Sequence, residues 1–378
     1  LGHAIGALGY AAACNGWQVR VLTHWPTETL TRLLGLDRSS DFEPDEPEYP
    51  AALLVLGPQP GDLPPQEAWL DVMDAQVWQG KANRLDPRHL YRWDAVDEMA
   101  GLCTPPAVAA GPIAAGRPAF APPPGDPPAA DVIRRRRSAR GFDPRHSIDS
   151  GMFFRLLDGC LPRPGTPPWD QRQGESPLHL LLFVHRVEGL PPGLYLLAAG
   201  PGAARELRTI MRPEFTWEAA DGCPDHLPCY HLVSANTRKA AMQLGCHQQI
   251  CADSAFAVAM LGEFDATIDE SPAGYDMLFR EAGRAGQALY INAQAEGIGS
   301  SGIGCFFDDP IHDMLGLKDH RLQAIYMFTV GPALPEVGVN DEPAYAGRKY
   351  ATNSCGLSEP EGTTTTAEET SRSHNPQV

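Results

Sequence analysis

An internal repeat constrains the fold of this chain more than any other feature of the sequence. The segment "LGHAIGALGYAAACNGW…LLGLD", from Leu1, aligns without gaps with "AGRAGQALYINAQAEGI…MLGLK", from Ala282. Each copy then enters an apolar stretch that ends in Gly-Pro, at Ala52–Pro58 and at Tyr326–Pro332. Small residues can coincide by chance when two alanine-rich helices are aligned. Chance explains less well an alignment that continues through a helix, a loop, a second helix and a strand. We therefore interpret the first copy as the back half of a domain whose front half is absent here.

Composition narrows the class of protein. The 378 residues suffice for two domains of ordinary size, and 43% of them are hydrophobic, as in globular proteins. The formal net charge of −17 argues against generic binding to nucleic acids or to anionic membranes, because both need clustered cations. No apolar run reaches the roughly 18 residues that a membrane span needs, and no secretory signal is visible. Nine cysteines without C-x-x-C spacing predict reduced thiols and a cytoplasmic protein.

Two composition breaks suggest the domain boundaries. Residues Thr104–Ala130 are rich in Pro, Ala and Gly, which predicts an extended linker or a strap lying over a surface. The tail from about Ala351 lacks apolar periodicity and is predicted to be disordered. The predicted division is a partial N-terminal domain over 1–102, a linker over 103–130, a main domain over 131–345 and a tail over 346–378.

Helices and strands interleave in the main domain without strict β-α-β alternation, which favours an α+β sandwich over a parallel doubly wound sheet. The apolar run Leu178–Val187 and the short run Gly193–Leu197 predict a hairpin, because the turn signal "GLPPG" separates them. The strand Gln323–Val330 is predicted to close the domain. Helices are predicted at Asp149–Asp158 (with Ser147 or Asp149 as the cap), Thr237–Leu244, about Asp253–Gly262, Tyr275–Glu296 and Pro310–Leu315.

The stretch "GIGSSGIGCFFDD", Gly297–Asp309, begins with the dinucleotide-binding spelling G-x-G-x-x-G. That motif requires a preceding strand and a following helix, whereas a helical pattern leads into Gly297 and Pro310 is expected to delay the next helix. Gly297 is better interpreted as the C′ glycine of the preceding helix. The other glycines either let backbone approach a flat ligand or simply form a turn.

A second unusual stretch is "RRRRSARGF", Arg134–Phe142. Four consecutive arginines repel one another unless an anion or an acidic partner lies nearby, and guanidinium groups suit phosphate oxygens. The alternative is a solvated basic end of the linker.

Other clusters carry weaker signals. "CPDHLPCYH", Cys223–His231, packs four soft ligands too closely for known zinc modules, so no metal is predicted there. His247 lacks an identifiable catalytic partner. The aromatic residues Phe306 and Phe307 could wall a planar ligand or belong to the core.

Taken together, "RRRRSARGF", the hairpin "VHRVEGLPPGLYLL" and the long C-terminal motif resemble the nitroreductase-like FMN flavoproteins, and most closely their SagB/ThcOx-type dehydrogenase branch. The resemblance covers about Asp131–Tyr345 and, through the repeat, Leu1 to about Pro58. It implies a nitroreductase-like sandwich, an antiparallel-type sheet flanked by helices, with a partial N-terminal repeat of the same fold. It also implies bound FMN and hydride transfer between the flavin and an organic substrate, either a small molecule or one derived from a peptide or natural product.

The site residues follow from the resemblance, position by position. The flavin phosphate and ribityl chain would be held by Arg136, Arg137, Ser138 and Arg140. The isoalloxazine would be lined by Gly302, Ile303, Gly304 and Cys305, with a backbone N–H of Gly304 or Cys305 near its N5.

Three departures from the family pattern matter. "LPRPGTPPWDQRQGESPLH" replaces the usual PSxGxxxP segment, and "GPALPEVGVN" lacks the cation that relatives place after the last strand, although Arg348 and Lys349 lie further on. The N-terminal copy has "NGWQVRVLTHW" in place of the glycine-rich loop, so we predict that it binds no flavin. That copy is expected to act as the internal partner of a pseudo-dimer, with a homodimer as the alternative. Two other functions stay open, a non-catalytic module that binds a peptide or partner enzyme, and an azoline oxidase of ribosomal peptides.

Overall fold

A seven-stranded antiparallel sheet forms the centre of the structure. The computed structural model describes residues 1–22, 25–43, 46–59, 65–88, 91, 93–103, 117–170 and 176–335. The strands are β1 Gln18–Val21, β2 Leu54–Gly57, β3 Ile148–Asp149, β4 Leu178–Val184, β5 Val187–Glu188, β6 Gly193–Leu197, β7 Glu218–Ala219, β8 Cys229–Ser234, β9 Phe256–Glu263, β10 Gly299–Ile303 and β11 Leu322–Gly331. The large sheet has the order β10-β11-β9-β4-β6-β8-β7, while β1 pairs with β2 and β3 with β5.

Helices cover both faces of this sheet. They are α1 Gly2–Cys14, α2 Thr27–Leu33, α3 Gln66–Asp74, α4 Asp94–Leu102, α5 Ala129–Arg135, α6 Ser150–Asp158, α7 Pro201–Ile210, α8 Arg238–Leu244, α9 Gln249–Asp253, α10 Phe264–Glu270, α11 Gly274–Ala295 and α12 Asp308–Leu315. One core cluster joins β4 and β9 to α6 and α11, and a second joins the opposite face to α7, α8 and α12. Every residue of β4 is buried, since apolar side chains on both faces of a strand need cover on both sides.

The predicted mixed architecture is confirmed, and the hairpin is confirmed with it. β4 and β6 pair antiparallel, with Val184 opposite Gly193. Asp149 caps α6 as expected, because its side chain accepts a hydrogen bond from the backbone N–H of Met152 at 2.8 Å. The strand predicted to close the domain is β11, next to the sheet edge formed by β10.

Three predicted elements were wrong. The segment about Asp253–Gly262 forms mainly β9, not a helix, because its small apolar residues fill the position between β4 and β11 in the sheet. The glycine-rich stretch is not a free loop, since Gly299–Ile303 pairs antiparallel with β11 as β10. Pro310 does not delay α12, which begins at Asp308; proline fits a first helical turn, where no intrahelical N–H bond is lost.

The N-terminal elements have the same order as those around the glycine-rich stretch. Helix α1, strand β1, helix α2 and strand β2 correspond in order to α11, β10, α12 and β11. The glycines after the four helices all have positive φ, at 67° for Gly16 and Gly35, 76° for Gly297 and 78° for Gly316. This φ confirms that Gly297 ends α11 as a C′ glycine.

Strand pairing extends the correspondence. β1 pairs antiparallel with β2 and places Gln18 opposite Gly57, just as β10 pairs antiparallel with β11 and places Gly299 opposite Gly331. Helix α1 packs directly against α11. A methyl group on Gly283 would lie 2.8 Å from the Cα atom of Gly2, so the two helices approach each other closely at these glycines.

The described part of the proline-rich segment lies on the surface of the main sheet domain. Arg117 donates to the carbonyls of Pro162 and Ala199, at 3.0 and 2.8 Å, and Arg163 donates to the carbonyl of Pro118 at 2.9 Å. Residues Arg117 and Pro118 therefore contact the main sheet domain, while the predicted linker over 103–130 stays a prediction. Residues 104–116 and the predicted tail over 346–378 lie outside the described residues. Among the helices of the described ranges, none is both long enough and apolar enough to cross a bilayer.

Candidate functional site

The arginine-rich and glycine-rich motifs meet at one edge of the large sheet. The chain leaves α5 at Arg136 and then runs beside β10, where Ser138 bridges Ser300 and the Ala139 N–H donates to the Ser300 carbonyl at 2.9 Å. Phe142 then bridges Ala333, just beyond β11. Two motifs that are far apart in sequence thus form one continuous surface.

The hydroxyl of Tyr290 connects the two motifs. It accepts a hydrogen bond from the Gly302 N–H at 2.9 Å and lies 2.9 Å from the hydroxyl of Ser138. The guanidinium of Arg136 lies over the same ring, 4.7 Å from its centroid. Helix α11 therefore fixes the position of Arg136 and Ser138 relative to β10 through a single aromatic side chain.

The other arginines of the motif have different surroundings. Arg134 forms an ion pair with Asp131 at 2.6 Å and donates to the Ala130 carbonyl, so it is turned back onto α5. Arg137 donates to the carbonyls of Arg134 and Arg136, at 2.9 and 3.0 Å. Arg137, Ser138 and Arg140 are exposed, whereas Arg136 is half-buried. The cations at this edge lie where a phosphate group could reach them from solvent.

The glycines of the second motif differ in the space beside them. A methyl group on Gly302 would collide with the hydroxyl of Tyr326 and lie 3.4 Å from the ring of Phe328. A methyl group on Gly304 would have no atom within 4 Å. Ile303 is 4% exposed and packs into the core, so only its backbone could face a ligand. Of the predicted ring-lining residues, Gly304 is the one with open space at its Cα.

Strand pairing ends at this point. Ile303 pairs with Met327 and is the last residue of β10, so the amides of Gly304 and Cys305 lie beyond the ladder. Exposed cations, a glycine with open space beside it and backbone beyond a strand end are compatible with a phosphate and a flat ring held at one edge. These residues therefore fit FMN.

The N-terminal helix contributes a residue that sequence reasoning missed. His3 of α1 lies 3.1 Å from the side-chain oxygen of Gln287 and 3.1 Å from the hydroxyl of Tyr326. The amide oxygen only accepts, so Nδ1–H donates to Gln287, and a neutral His3 accepts at Nε2 from Tyr326. Burial lowers the pKa of His3, partly opposed by the bond to Gln287, which favours this neutral form. Burial also raises the pKa of Tyr326 to about 12.

Cys305 is bonded to Cys246, so the prediction that the cysteines are reduced was wrong for this pair. Six other cysteines are free, namely Cys14, Cys103, Cys160, Cys223, Cys229 and Cys251, and Cys355 lies outside the described residues. Cys246 follows α8, in a turn where both it and His247 have positive φ, 59° and 58°. The disulfide therefore joins the end of the glycine-rich stretch to the α8–α9 turn.

An apolar cavity of about 470 Å³ lies between α8 and α12, next to this disulfide. Its volume is in the range of small-molecule sites. The rings of His247 and Phe307 lie 5.6 Å apart at its edge. It is lined by Ala240, Gln243, Leu244, His247, Phe307, Pro310 and Met314.

In the stretch "CPDHLPCYH" the thiols of Cys223 and Cys229 contact each other, whereas the two histidines have separate partners. His226 binds Asp158 at 3.0 Å, His231 binds Ser234 at 3.1 Å, and the thiol of Cys223 donates to the Leu227 carbonyl at 3.5 Å. Within the described ranges, no group of three or more His, Cys, Asp or Glu residues is placed to hold a metal ion.

Comparisons with known proteins agree with this geometry at the level of the fold. Residues 216–331 match the family model described as "Nitroreductase family". A protein from Anabaena variabilis ATCC 29413, described as a nitroreductase, superposes with a TM-score of 0.60 at 18% identity, over 88% of this chain and 64% of that one. The chain thus spans less than two thirds of that structure. No curated protein matches the sequence.

Two further solved structures are similar at TM-scores below 0.5. The E. coli microcin synthetase McbBCD complex with truncated pro-MccB17 gives 0.39 at 16% identity, covering 60% of this chain and 78% of that one. A nitroreductase in complex with FMN from Exiguobacterium sibiricum 255-15 gives 0.34 at 14% identity, covering 58% and 94%. The large antiparallel sheet, the helices on both its faces and the match over 216–331 together give this chain the nitroreductase fold.

Proposed function

We propose that the protein is an FMN-dependent oxidoreductase. The observation that carries this proposal is that Arg136 and Ser138 lie against Tyr290 and β10, the edge strand that ends just before the open backbone at Gly304. The resemblance of both motifs to the nitroreductase-like flavoproteins supports it, and so does the fold. Bound FMN would supply reversible hydride transfer to or from an organic substrate.

The chain's own residues would bind and orient the cofactor. Arg136, Arg137, Ser138 and Arg140 would hold its phosphate and ribityl end, because guanidinium and hydroxyl donors suit phosphate oxygens. Gly304 would let backbone approach a flat ring, and an amide N–H of Gly304 or Cys305 would donate toward the ring edge. Tyr290 would keep the two halves of the site in place, since it contacts both motifs.

A comparison of FMN with riboflavin, which lacks the phosphate, tests whether these residues bind the phosphate group. We expect wild-type protein to bind FMN more tightly than riboflavin, as measured by quenching of flavin fluorescence. Arg137→Ala and Arg140→Ala should each weaken FMN binding by roughly tenfold or more and leave riboflavin binding nearly unchanged, because a hydrogen bond to a charged group contributes about 1.5–3 kcal/mol. Arg134→Ala is the matched control, since Asp131 already pairs with Arg134.

The outcome that would refute this site is equal binding of the two flavins by wild-type protein, or no binding of either. If Arg134→Ala weakened FMN binding as much as Arg137→Ala, the effect would come from the net charge of this region and not from a defined phosphate-binding site.

We also propose that the N-terminal segment is a degenerate half-domain and the internal partner of a pseudo-dimer. The matching order of α1, β1, α2 and β2 with α11, β10, α12 and β11 supports this, together with the packing of α1 on α11. His3 would then be the contribution of the partner half to the site, since it reaches Gln287 and Tyr326.

The narrower assignment to the SagB/ThcOx-type branch rests on the sequence motifs. We propose on that basis that the substrate is a small molecule or a group derived from a peptide or natural product. Azoline oxidation on ribosomal peptides is a less favoured form of the same proposal, since the adjacent pair Lys349–Tyr350 lies outside the described residues. Oxygen uptake with azoline peptides by flavin-loaded protein would support it, and inertness would remove it.

A non-catalytic module that binds a peptide or a partner enzyme is the second candidate. Two departures from the family pattern motivate it. The described residues after Gly331 are Pro332, Ala333, Leu334 and Pro335, and none of them is the cation that relatives place near the flavin phosphate. The usual PSxGxxxP segment is also replaced. Flavin binding without turnover of any electron donor or acceptor would favour this candidate. Steady reduction of a quinone or nitroarene by flavin-loaded protein would eliminate it.

A further inference from the structure

One cysteine of the disulfide Cys246–Cys305 is exposed to solvent, as a reactive site requires. Cys305 is exposed and Cys246 is half-buried, whereas Cys160, Cys229 and Cys251 are buried. Burial raises the pKa of the Cys251 thiol to about 11, so this nearby cysteine is held as an inert thiol. A thiolate from solvent can therefore reach the Cys305 sulfur, and it cannot easily reach the buried cysteines.

Non-covalent bonds already hold the two segments that the disulfide joins. The Phe307 N–H donates to the Leu244 carbonyl at 2.8 Å. The side chain of Gln248 donates to the carbonyls of Gly245 and Cys305, at 2.9 and 3.2 Å. These contacts do not need the sulfur–sulfur bond. After reduction they would keep the two thiols adjacent, so the bond could form again.

The turn that carries Cys246 is held in an unfavourable conformation. Cys246 and His247 are consecutive non-glycine residues with φ of 59° and 58°, in the left-handed region that such residues rarely occupy. Strained backbone of this kind concentrates at functional and switching sites. Opening the disulfide removes one constraint on this turn, which borders the apolar cavity and the end of β10.

We propose that Cys246–Cys305 is a reversible thiol-exchange site whose partner is a dithiol, either a small molecule or a protein. This inference goes beyond the proposed flavin chemistry and does not depend on it. One thiolate of the dithiol attacks the exposed Cys305 sulfur, the Cys246–Cys305 bond breaks, and Cys246 leaves as a thiolate that takes a proton from water. The second thiol of the partner then attacks the mixed disulfide and releases Cys305. The partner is oxidised by two electrons to its disulfide, and the protein gains two thiols.

Reduction of the disulfide would affect residues 304–307, at the end of the glycine-rich stretch. In the reduced state, residues 304–307 would be held to the α8–α9 turn by the hydrogen bonds from Phe307 and Gln248 and by the contact between the rings of Phe307 and His247, without the covalent link. We expect this stretch to exchange its backbone hydrogens faster after reduction, while β9 stays protected. The redox state of the partner thiols would thereby control the backbone where the proposed flavin ring lies.

Thiol trapping on the folded full-length chain tests the site. The protein is equilibrated with dithiothreitol or with oxidised glutathione, without denaturant, then alkylated with N-ethylmaleimide and mapped by peptide mass spectrometry. We expect Cys246 and Cys305 to gain label together in dithiothreitol and to lose it together in oxidised glutathione. Cys14, exposed and free, serves as the internal control because it should remain a single, independently labelled thiol.

Single variants test which sulfur is attacked. In Cys246→Ser, the remaining Cys305 should form a mixed disulfide with glutathione roughly tenfold faster than Cys246 does in Cys305→Ser, because exposure governs access. Cys14→Ser is the matched control. If a variant fails to fold, labelling of the wild-type chain still decides the matter.

Two results would overturn the proposal. One is a Cys246–Cys305 bond that resists dithiothreitol until the protein is unfolded in urea, which would make it a purely structural cross-link. The other is full labelling of both cysteines after equilibration with oxidised glutathione, which would mean that no bond forms. Neither result bears on FMN binding, so failure here is distinct from failure of the proposed function.

Discussion

Gly302 and Gly304 are two residues apart but have different surroundings, and the difference can be measured. We expect Gly302→Ala to lower the free energy of unfolding by about 1–3 kcal/mol, because the new methyl group must displace Tyr326 and its bond to His3. Gly304→Ala should change it by less than about 0.5 kcal/mol, since no atom lies within 4 Å of the added methyl group. Urea unfolding of both variants gives the two values.

The same pair of variants separates stability from binding. If the flavin ring lies beside Gly304, Gly304→Ala should weaken FMN binding while its stability stays near that of the wild type. Equal stability losses in the two variants would contradict the difference in packing. Unchanged FMN binding in Gly304→Ala would place the ring elsewhere.

At the scale of secondary-structure elements, His185 joins the end of β4 to the start of α8 and to α9. The imidazole donates from Nε2 to the Cys251 carbonyl at 3.1 Å and accepts at Nδ1 from the Thr237 hydroxyl at 3.1 Å. Burial lowers the pKa of His185 to about 4 from its ordinary 6.5, and the nearby Arg186 and Arg238 act in the same direction. The folded protein therefore holds this histidine neutral.

This lowered pKa predicts a loss of stability in acid. Between pH 6.5 and pH 4 the unfolded chain binds a proton at His185 that the folded protein does not bind, so the free energy of unfolding falls as pH falls through this window. The loss attributable to His185 between pH 6.5 and pH 5 should be about 1.5 kcal/mol. Urea unfolding across this range, in wild type and in His185→Gln, isolates the contribution. An identical pH dependence in both proteins would show that His185 does not supply it.

Sequence patterns predicted strand β4 and helix α11 correctly but not strand β9. Leu178–Val184 is long, apolar and bounded by turn signals, so it could be identified as a buried strand, and the helical periodicity before Gly297 gave α11. The run in β9 consists largely of alanine, valine, methionine and leucine, which suit a buried helix as well as a strand with both faces covered. Only the pairing with β4 and β11 decides between them, and single-sequence periodicity does not contain that pairing.

The two motifs of the candidate site could be identified in the sequence, but the side-chain contacts that join them could not. Guanidinium clustering and glycine spacing are local features, so Arg136, Ser138 and Gly304 could be selected from the sequence. Tyr290, His3 and Cys246 enter through contacts with residues far along the chain, such as His3 with Tyr326 at a separation of 323 residues. In the sequence, Tyr290 is one of several aromatic residues in the helical pattern before Gly297. The repeat was the one signal that linked the first residues of the chain to the site.

At the scale of the whole molecule, the contact between α1 and α11 has the form expected near a two-fold axis. Gly2 and Gly283 are aligned with each other in the proposed repeat and lie in contact, and so do Gly6 and Gln287. In a symmetric dimer, residues close to the axis meet their own equivalents. If the N-terminal segment is the internal partner, this contact takes the place of a subunit interface within one chain.

Substitution at this contact tests the internal partner. We expect the wild-type chain to be a monomer by light scattering and to bind one FMN. Gly283→Ala should lower the free energy of unfolding by about 1–3 kcal/mol, because its methyl group would press on the backbone of Gly2 and His3. It should also speed proteolysis of the N-terminal segment. Gly202→Ala in α7 is the matched control, since no atom lies within 4 Å of its added methyl group and alanine favours a helix. A stable homodimer with two symmetric flavins would contradict the internal partner, because a second chain would then fill the role assigned to the N-terminal segment.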